Sequence, residues 1–320
     1  MTISVIINTI NRDQEVARCL ESLKRQTDKD FEVIIVDQSK NRRTKTVCRP
    51  YNLKYYRLRK RKNLAHSRNF GVNMAAGKIV AFIDDDAEAA ADWVEQIKLA
   101  YALEKPSMIA GKVIDMRDVD NPAIQYQNGT VTAYGEAEPI HPENESVNNR
   151  GRFLAPLGTD AVFLRKEIIR LKGFDEFYDF IHETTDFAVR LIKARGLVRY
   201  SNKLNVAHFP FKAYDRKGNQ RVNWRVFSKN SVYFGLKNGV AFMPLRILRT
   251  LFGVFSAKGP YRTVLGRFLQ RRMTIFGLLK NWFFINLGAT QGLHAGVFRK
   301  RQLVRKFETN NHFVLFTRRP

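Results

Sequence analysis

The chain has 320 residues and carries 55 Lys and Arg against 30 Asp and Glu, so its formal net charge is +25. Hydrophobic residues make up 44% and aromatic residues 12% of it, a composition that excludes a disordered chain and is typical of a folded protein. The two cysteines lack the spacing of a disulfide or metal framework, which favours a reducing compartment. We expect no signal peptide, because the first residues lack a basic segment followed by a hydrophobic one. We expect no membrane-spanning helix, because no stretch reaches about 18 uncharged apolar residues.

The first half of the chain alternates strand-like apolar runs with helix-like segments. The predicted strands are residues 4–8, 31–36, 54–58, 79–83 and 161–164. The predicted helices begin near residue 13 and then cover 63–76, 91–103 and 186–194. Such alternation predicts an α/β fold, in which helices cover both faces of a mostly parallel sheet.

Residues 114–150 are polar and predict loops or short edge strands, whereas the end of the chain is strongly basic. From residue 241 to residue 320 there are fifteen Lys or Arg and one acid, Glu308. In residues 245–256 the apolar side chains occupy one half of a helical wheel and the basic ones the other half, which predicts a basic amphipathic helix. We therefore expect an α/β domain over residues 1–225 and a basic, mainly helical region over residues 226–320.

So large a positive charge indicates a polyanionic partner, which is nucleic acid, an anionic membrane surface or a phosphorylated substrate. No helix-turn-helix, zinc spacing or RNP-like motif is present, so we expect no nucleic acid partner. Basic residues that alternate with bulky apolar ones favour a helix lying on an anionic membrane surface. The alternative is that the apolar half packs on the α/β domain. A second basic block at residues 40–62, with eleven Lys or Arg and no acid, fits either this surface or nucleotide phosphates.

The strand-like run 79–83 ends in three consecutive aspartates, Asp84, Asp85 and Asp86. In open parallel sheets, ligands bind beyond the carboxyl ends of the strands. Two carboxylates one residue apart at such an end can hold Mg²⁺ or Mn²⁺, which would bridge a diphosphate. The alternative is a helix N-terminus decorated with acids, which the helix macrodipole favours.

Six segments carry a wider pattern in consistent order: "SVIINTINR", "CLESLKRQTDKDFEVIIVDQS", "NLAHSRNFGVNMAAGKIVAFIDDDA", "LRKEIIRLKGFDE", "HETTDFAVRLIKARG" and "VAH". Over residues 3–210 the chain thereby resembles glycosyltransferase family 2, which has the Rossmann-like GT-A fold. The resemblance implies a metal-dependent, inverting transfer of a sugar from a UDP-, GDP- or dTDP-linked donor. The implied acceptor is a glycan or lipid-linked glycan of surface polysaccharide biosynthesis, and the implied location is cytoplasmic, on the inner face of the cell membrane.

The resemblance also implies which residues form the site. Donor contacts are expected from Thr9, Asn11, Arg12, Asp37, Arg68, Asn69, Asp84, Asp85 and Asp160. The metal, Mn²⁺ or Mg²⁺, is expected at Asp84, Asp86 and His208. Among these, Asp37 matches the acid that contacts the nucleotide base.

The general base is the point at which the sequence departs from the family. Relatives carry an Asp in an E-D-x-D run, whereas residues 183–186 read E-T-T-D and place Thr184 at that position. Threonine cannot serve as a base, so Glu183 is the expected base and Asp186 the second candidate. Two alternatives stay open: both acids cap the helix that follows, or the chain is a catalytically degenerate nucleotide- or membrane-binding GT-A protein.

Overall fold

The computed structural model describes residues 2–116, 129–134, 137–139, 152–210, 223–255, 259–298 and 303–304. Its strands are β1 (Ile3–Thr9), β2 (Phe31–Asp37), β3 (Lys54–Arg57), β4 (Ile79–Ile83), β5 (Ala87–Ala89), β6 (Met108–Asp115), β7 (Gly129–Thr132), β8 (Ala137–Pro139), β9 (Arg152–Ala155), β10 (Asp160–Leu164) and β11 (Val198–His208). Its helices are α1 (Asp13–Lys24), α2 (Arg43–Cys48), α3 (Leu64–Met74), α4 (Trp93–Leu103), α5 (Arg165–Arg170), α6 (Glu183–Lys193), α7 (Trp224–Asn238), α8 (Met243–Phe255), α9 (Pro260–Leu269) and α10 (Ile275–Phe298).

Within the described ranges, eight strands form one sheet in the order β3-β2-β1-β4-β10-β6-β11-β5. Strand β1 pairs in parallel with β2 and β4, and β2 pairs in parallel with β3. Strand β10 runs antiparallel between β4 and β6, and β5 runs antiparallel to β11. The predicted α/β fold with a mostly parallel sheet is confirmed, and the five predicted strands are all present. A smaller sheet joins β8, β7 and β9.

The core lies on both faces of the large sheet, as strand β1 illustrates. Ile3, Val5 and Ile7 pack on one face, in the cluster that includes residues of α1 and α4. Ile6 packs on the other face, with residues of α3 and α6. Side chains alternate because the strand has a two-residue period, and a strand covered on both faces reads as a continuous apolar run.

The strand directions bring several chain segments to one edge of the sheet. Thr9 lies level with Asp37, because β1 and β2 are parallel and in register. Strand β10 runs the other way, so its first residue, Asp160, pairs with Ile83 at the end of β4. The end of β11 reaches the same place because His208 pairs with the start of β5. The acidic turn is therefore surrounded by the ends of four strands.

The C-terminal region is helical, as predicted. Helices α7 to α10 share a hydrophobic cluster that includes Trp224, Val254, Val264 and Ile285. The amphipathic helix predicted at 245–256 is α8. In the part of the chain that the structure describes, no helix is both long and apolar enough to cross a membrane. Most of the irregular region 114–150 and the end of the basic tail, residues 305–320, lie outside the described residues.

The boundary expected at 225/226 stays a prediction. Helix α7 begins there, and it belongs to two hydrophobic clusters. Trp224 and Leu236 pack with the C-terminal helices, whereas Tyr233 and Phe234 pack with Tyr178 of the α/β part. Helix α7 thus lies between the two regions.

We predict that Gly111→Ala destabilises the protein by about 1–3 kcal/mol, because overpacking a rigid core has a cost of this order. A Cβ at Gly111 would lie 1.9 Å from Oδ2 of Asp160, and the fully buried Asp160 has no room to move. Urea unfolding measures the change. The matched control is Gly266→Ala in α9, where a Cβ meets nothing within 4 Å; it is expected to stabilise the protein by about 0.5–1 kcal/mol through helix propensity. Equal effects of the two substitutions would contradict the prediction.

Candidate metal and nucleotide site

The aspartates after β4 hold distinct partners. Asp84 accepts a hydrogen bond from Thr159 Oγ1 at 2.6 Å. Asp86 accepts one from Arg12 Nη1 at 2.8 Å, and its other oxygen lies 3.2 Å from His208 Nε2. The acidic turn is thus bound to the ends of β10, β1 and β11 at once.

Asp84, Asp86 and His208 form a group of possible metal ligands. One ligand atom from each of the three lies within 4.8 Å of the others. Nδ1 of His208 is buried and has no hydrogen-bond partner in the part of the chain that the structure describes. Burial lowers the pKa of His208, but the hydrogen bond and charge of Asp86 and the charge of Asp84 raise it above the ordinary value overall. Two carboxylates and an imidazole so close together fit a divalent cation such as Mn²⁺, and the fit is less specific for Mg²⁺, which prefers oxygen ligands.

Asp85 lies apart from this group. It is buried and accepts hydrogen bonds from Thr9 Oγ1 at 2.7 Å and from Arg12 Nη1 at 2.8 Å. Burial raises its pKa to about 7, although the charge of Arg12 opposes the rise. Its direct partners are therefore protein groups, and through them it holds Thr9 and Arg12 against the acidic turn.

A cleft of ≈ 760 Å³ opens beyond the ends of β1, β2 and β3. Its basic lining residues are Lys40, Arg42, Lys45, Arg57, Arg59 and Arg61. Asn11 and Tyr55 also line it, and Asn11 has a φ of 55°. Asp37 is fully buried next to it, where the Tyr55 hydroxyl and the Ser39 N–H donate to its carboxylate. The basic block of the sequence thus surrounds a cleft suited to an anionic ligand.

Arg68 joins the acidic turn to the start of α6. Its guanidinium donates from Nη1 to Glu183 Oε1 at 2.8 Å and to Thr184 Oγ1. Its Nη2 lies 3.8 Å from Asp84 Oδ1. Burial raises the pKa of Glu183, although the charge of Arg68 opposes the rise. Within the described ranges the second carboxylate oxygen of Glu183 has no hydrogen-bond partner. One buried arginine therefore separates the candidate metal ligand from the candidate base.

Two residues expected to contact the donor have other partners. Asn69 donates to the Phe174 carbonyl at 2.9 Å and to Glu176, and it accepts from the Phe174 N–H. Asp160 is fully buried and accepts from Trp93 Nε1 at 3.1 Å. Both side chains therefore hold protein segments together, and their contact with a donor stays a prediction.

Asp186, the second candidate base, belongs to a buried ion cluster. Arg190 Nε lies 2.9 Å and Lys237 Nζ 2.8 Å from its Oδ2. Tyr178 and Asn238 donate to its Oδ1 at 3.1 Å. Burial alone raises the pKa of Asp186, but the charges of Lys237 and Arg190 bring it below its ordinary value. Because every lone pair is engaged and the carboxyl is fully buried, this geometry speaks against Asp186 as the base.

Sequence reasoning missed two residues of this region. Thr159, which hydrogen-bonds Asp84, stands directly before β10 in the motif "LGTDAVF", where the neighbouring Asp160 is the expected contact. Lys237 lies about 50 residues from its partner Asp186 in α6, and no local pattern links them. Only the fold brings it to Asp186.

Comparison with known proteins identifies the family. The model "Glycosyl transferase family 2" matches residues 4–169. The chain therefore belongs to glycosyl transferase family 2, which is a family of enzymes. The match covers β1 to β4, the acidic turn and β10, which together carry the candidate metal ligands Asp84 and Asp86.

Three curated relatives illustrate the range of similar enzymes. Validoxylamine A glucosyltransferase of Streptomyces hygroscopicus subsp. limoneus is 32% identical over 33% of this chain and 25% of the relative. Glycosyltransferase AglE of Haloferax volcanii is 28% identical over 41% of this chain and 42% of the relative. A GalNAc(5)-diNAcBac-PP-undecaprenol beta-1,3-glucosyltransferase of Campylobacter jejuni is 32% identical over 27% and 30%. The chain thus spans less than half the length of each of these relatives.

Solved structures establish the fold as GT-A. A mannosyltransferase of Pyrobaculum calidifontis, in complex with GDP-Man and Mn²⁺, superposes with a TM-score of 0.55 at 16% identity, over 93% of this chain and 87% of that one. GalNAc-T7 with UDP, GalNAc and Mn²⁺ gives a TM-score of 0.57 at 15% identity, over 73% and 47%. At such identities the likeness concerns the fold alone.

We predict that Asp160→Asn makes stability less dependent on pH. An Asp in the unfolded chain has a pKa of about 3.9, whereas burial raises the pKa of Asp160 to about 8. Between these values the folded protein keeps a proton that the unfolded chain has lost. Stability therefore falls as pH rises, by up to about 1.4 kcal/mol per pH unit for this group, and Asn removes that slope. Urea unfolding from pH 5 to pH 8 measures it.

The matched control for this titration is Asp92→Asn. Asp92 is partly exposed and its carboxylate accepts from Gln96 Nε2 at 3.0 Å. This variant is expected to keep the wild-type slope. An unchanged slope in Asp160→Asn would contradict a protonated Asp160.

Proposed function

We propose that the protein is a metal-dependent, inverting glycosyltransferase that moves a sugar from a nucleotide diphosphate sugar to a glycan or lipid-linked glycan acceptor in surface polysaccharide biosynthesis. One observation carries the proposal: Asp84, Asp86 and His208 converge at the carboxyl edge of the sheet, where ligands of such folds bind. The basic cleft at the ends of β1 to β3 supports an anionic nucleotide, linked as UDP, GDP or dTDP. The UDP, GDP-Man and Mn²⁺ of the similar structures add support.

The residues of the acidic turn have separable roles in this proposal. Asp84, Asp86 and His208 would hold Mn²⁺ or Mg²⁺, and Arg12 Nη1 orients Asp86 at 2.8 Å. A divalent cation at this position would supply stabilisation of the negative charge that develops on a leaving diphosphate. The donor contacts expected of Thr9, Asn11, Asp37 and Asp85 belong to the same proposal; Asn11 is the member of this set that lines the cleft.

Glu183 is the proposed general base. Its Oε2 has no hydrogen-bond partner among the described residues and can accept the proton of an acceptor hydroxyl. Burial raises its pKa, which increases its basicity towards that of an effective base near neutral pH. Arg68 holds its other oxygen and lies near Asp84, so base and metal ligand belong to one connected group.

A second candidate function rests on the pair between Arg68 and Glu183. A base neutralised by an arginine, next to Thr184 in place of the family's Asp, also fits a GT-A protein that binds a nucleotide and no longer transfers sugar. Nucleotide turnover separates the two candidates.

We predict that one of UDP, GDP and dTDP binds only with Mn²⁺ or Mg²⁺, because a cation held by the carboxylates would offset their repulsion of the diphosphate. Calorimetric titration with metal and with chelator measures it. Asp84→Ala and Asp86→Ala should each weaken binding by about 100-fold or more. Glu183→Gln should keep binding but lower nucleotide release from the matching nucleotide sugar by about 10²–10⁴-fold.

Asp92→Ala is the control, because this carboxylate contacts only Gln96 among the bonds described. Metal-independent binding, or none by any of the three nucleotides, would contradict the metal site. Full turnover by Glu183→Gln would exclude Glu183 as base. Binding without turnover in the wild-type protein would favour the degenerate alternative.

Docking on an anionic membrane surface is the proposed use of the basic C-terminal helices. Residues 216–307 contain no Asp or Glu, and Arg249, Arg262, Arg271, Arg272 and Lys280 are exposed. Beside them stand exposed large apolar residues: Leu248 (66%), Phe252 (69%), Leu269 (70%), Phe276 (74%) and Phe283 (63%). Nucleic acid would not require the apolar set, whereas the acyl boundary and lipid phosphates together match both sets.

The packing of α8 bears on the two alternatives for its apolar half. Ile247 and Val254 pack in the C-terminal hydrophobic cluster, whereas Leu248 and Phe252 stay exposed. One part of the apolar half of α8 therefore packs against the other C-terminal helices, and the other part is exposed and can contact a membrane surface. A peripheral position on the inner face of the cell membrane, whose anionic lipids attract basic segments, follows from this proposal.

We predict that the protein floats with vesicles containing phosphatidylglycerol and much less with pure phosphatidylcholine, and that salt weakens the binding. The double variant Leu248→Ser with Phe252→Ser should lower the partition coefficient at least about tenfold, because it removes two exposed apolar anchors. Leu103→Ser on α4 is the control, since that residue is 82% exposed and lies in the α/β part. Equal losses in both variants, or salt-sensitive binding to DNA without binding to vesicles, would contradict membrane docking.

A further inference from the structure

Helix α7 holds the turn that leads into α6. Lys229 Nζ donates to the Phe177 carbonyl at 3.1 Å. Asn230 Nδ2 donates to the Ile181 carbonyl at 3.0 Å. Ser231 Oγ lies 3.2 Å from His182 Nε2. Three successive residues of α7 thus bind the chain just before Glu183.

Lys237, further along α7, binds the first turn of α6 itself. Its ammonium lies 2.6 Å from Asp175 Oδ2 and 2.8 Å from Asp186 Oδ2. The lysine side chain is 3% exposed and both carboxylates are 0% exposed. With Arg190, the cluster contains two positive and two negative groups, which is the balance that buried charges require.

The position of Glu183 depends on these contacts. Glu183 is the first residue of α6 and Asp186 lies one turn later. His182, immediately before it, has a φ of 72°, a left-handed conformation that a non-glycine residue keeps only when its surroundings enforce it. The ring of Phe234 on α7 stacks on His182 at 5.1 Å. Among the described residues, the Glu183 carboxylate hydrogen-bonds with Arg68 and Thr184, whereas the backbone just before it is held from α7 through Ile181 and His182.

We propose that Lys237 is a positioning residue for glycosyl transfer: by binding Asp186 and Asp175 it fixes the first turn of α6 and so sets the position of Glu183. The inference rests on the proposed function, because it assigns Glu183 the role of base. It also gives α7 a part in the reaction, although the family match ends at residue 169.

The experiment compares Lys237→Met with the wild-type protein in two measurements. Amide hydrogen exchange over residues 177–190 reports on the order of the turn and of α6. Release of the nucleoside diphosphate from UDP-, GDP- and dTDP-linked sugars, with Mn²⁺, reports on turnover. We expect faster exchange over 177–190 and a fall in kcat of about tenfold or more, since a displacement near 1 Å can cost that much. The Kd of the Mn²⁺–nucleotide complex should stay within about twofold, because the metal ligands are untouched.

Three further variants make the result specific. Arg225→Met removes a cation from the same helix, where its Nε binds Gln291 of α10, and should leave both measurements unchanged. Lys237→Arg keeps the charge and should restore most of kcat. The double variant Lys237→Met with Asp175→Asn keeps the buried charges balanced, so it separates lost positioning from the effect of an unpaired carboxylate. We expect it to be folded, with the same low kcat.

Unchanged exchange in Lys237→Met, or full turnover in either Lys237→Met or the double variant, would overturn the inference. A rise in Kd that accounts for the whole loss of turnover would also overturn it, because positioning of the base acts on kcat. A wild-type protein that binds none of the nucleotides would contradict the proposed function instead. Hydrogen exchange would then still decide whether Lys237 orders the start of α6.

Discussion

A buried arginine needs acids around it, and this requirement organises the site. Arg68 is 2% exposed, and removing a guanidinium from water is costly unless carboxylates and hydrogen bonds compensate for the lost hydration. Its compensation comes from Glu183 on one side and Asp84 on the other. The rings of Phe82 and Phe174 lie 5.2 Å and 6.0 Å from the guanidinium and complete its surroundings. The start of α6 and the end of β4 are therefore held at one place by one cation.

The same principle recurs around the sheet edge. Arg12 lies between Asp85 and Asp86, with 2.8 Å to each. Lys237 lies between Asp175 and Asp186 in the same manner. Arg12 pairs with two neighbouring acids of one turn, and Lys237 pairs with acids of two segments; in both cases the contact that neutralises charge also fixes geometry. Asp160 differs, because no cation pairs with it among the described residues: burial raises its pKa to about 8, and Trp93 Nε1 donates a hydrogen bond to it.

The balance of charge also separates the two surfaces of the protein. In the α/β part several buried acids have a cation as partner, as Asp86 has Arg12, Glu183 has Arg68 and Asp186 has Arg190. Residues 216–307 contain no acid. Lys229 and Lys237 of α7 pair with acids of the α/β part, whereas Arg262, Arg271 and Lys280 are exposed on the C-terminal helices. The proposed nucleotide cleft and the proposed membrane surface thus differ in the neighbours of their cations. In the cleft the cations lie beside polar groups such as Asn11, and on the membrane surface they lie beside exposed Phe and Leu.

Much of the fold could be predicted from sequence because its strands are short apolar runs bounded by polar turns. The run 79–83 is β4 to the residue, and the aspartates follow it as expected. Helix α6 begins at Glu183, three residues before the predicted start, because the first turn is stabilised by distant groups of α7 that no local signal contains. The helical character of the C-terminal region was also predictable. The boundary between α9 and α10 was not, because the apolar sequence is interrupted there by a turn at Arg271.

For the site, the sequence alone determined the candidate chemistry: acids at a strand end, a histidine after another strand, and an acidic run before a helix. Residue type and local order are sufficient for that, since the carboxyl ends of parallel strands share an edge. Only the tertiary structure decided which of those residues have free atoms. Glu183 keeps one oxygen that has no partner among the residues the structure describes, whereas Asp186, three residues on, is enclosed by Lys237 and Arg190. The difference depends on α7, about fifty residues downstream, because the desolvation and pairing of a charge are set by whatever the fold packs against it.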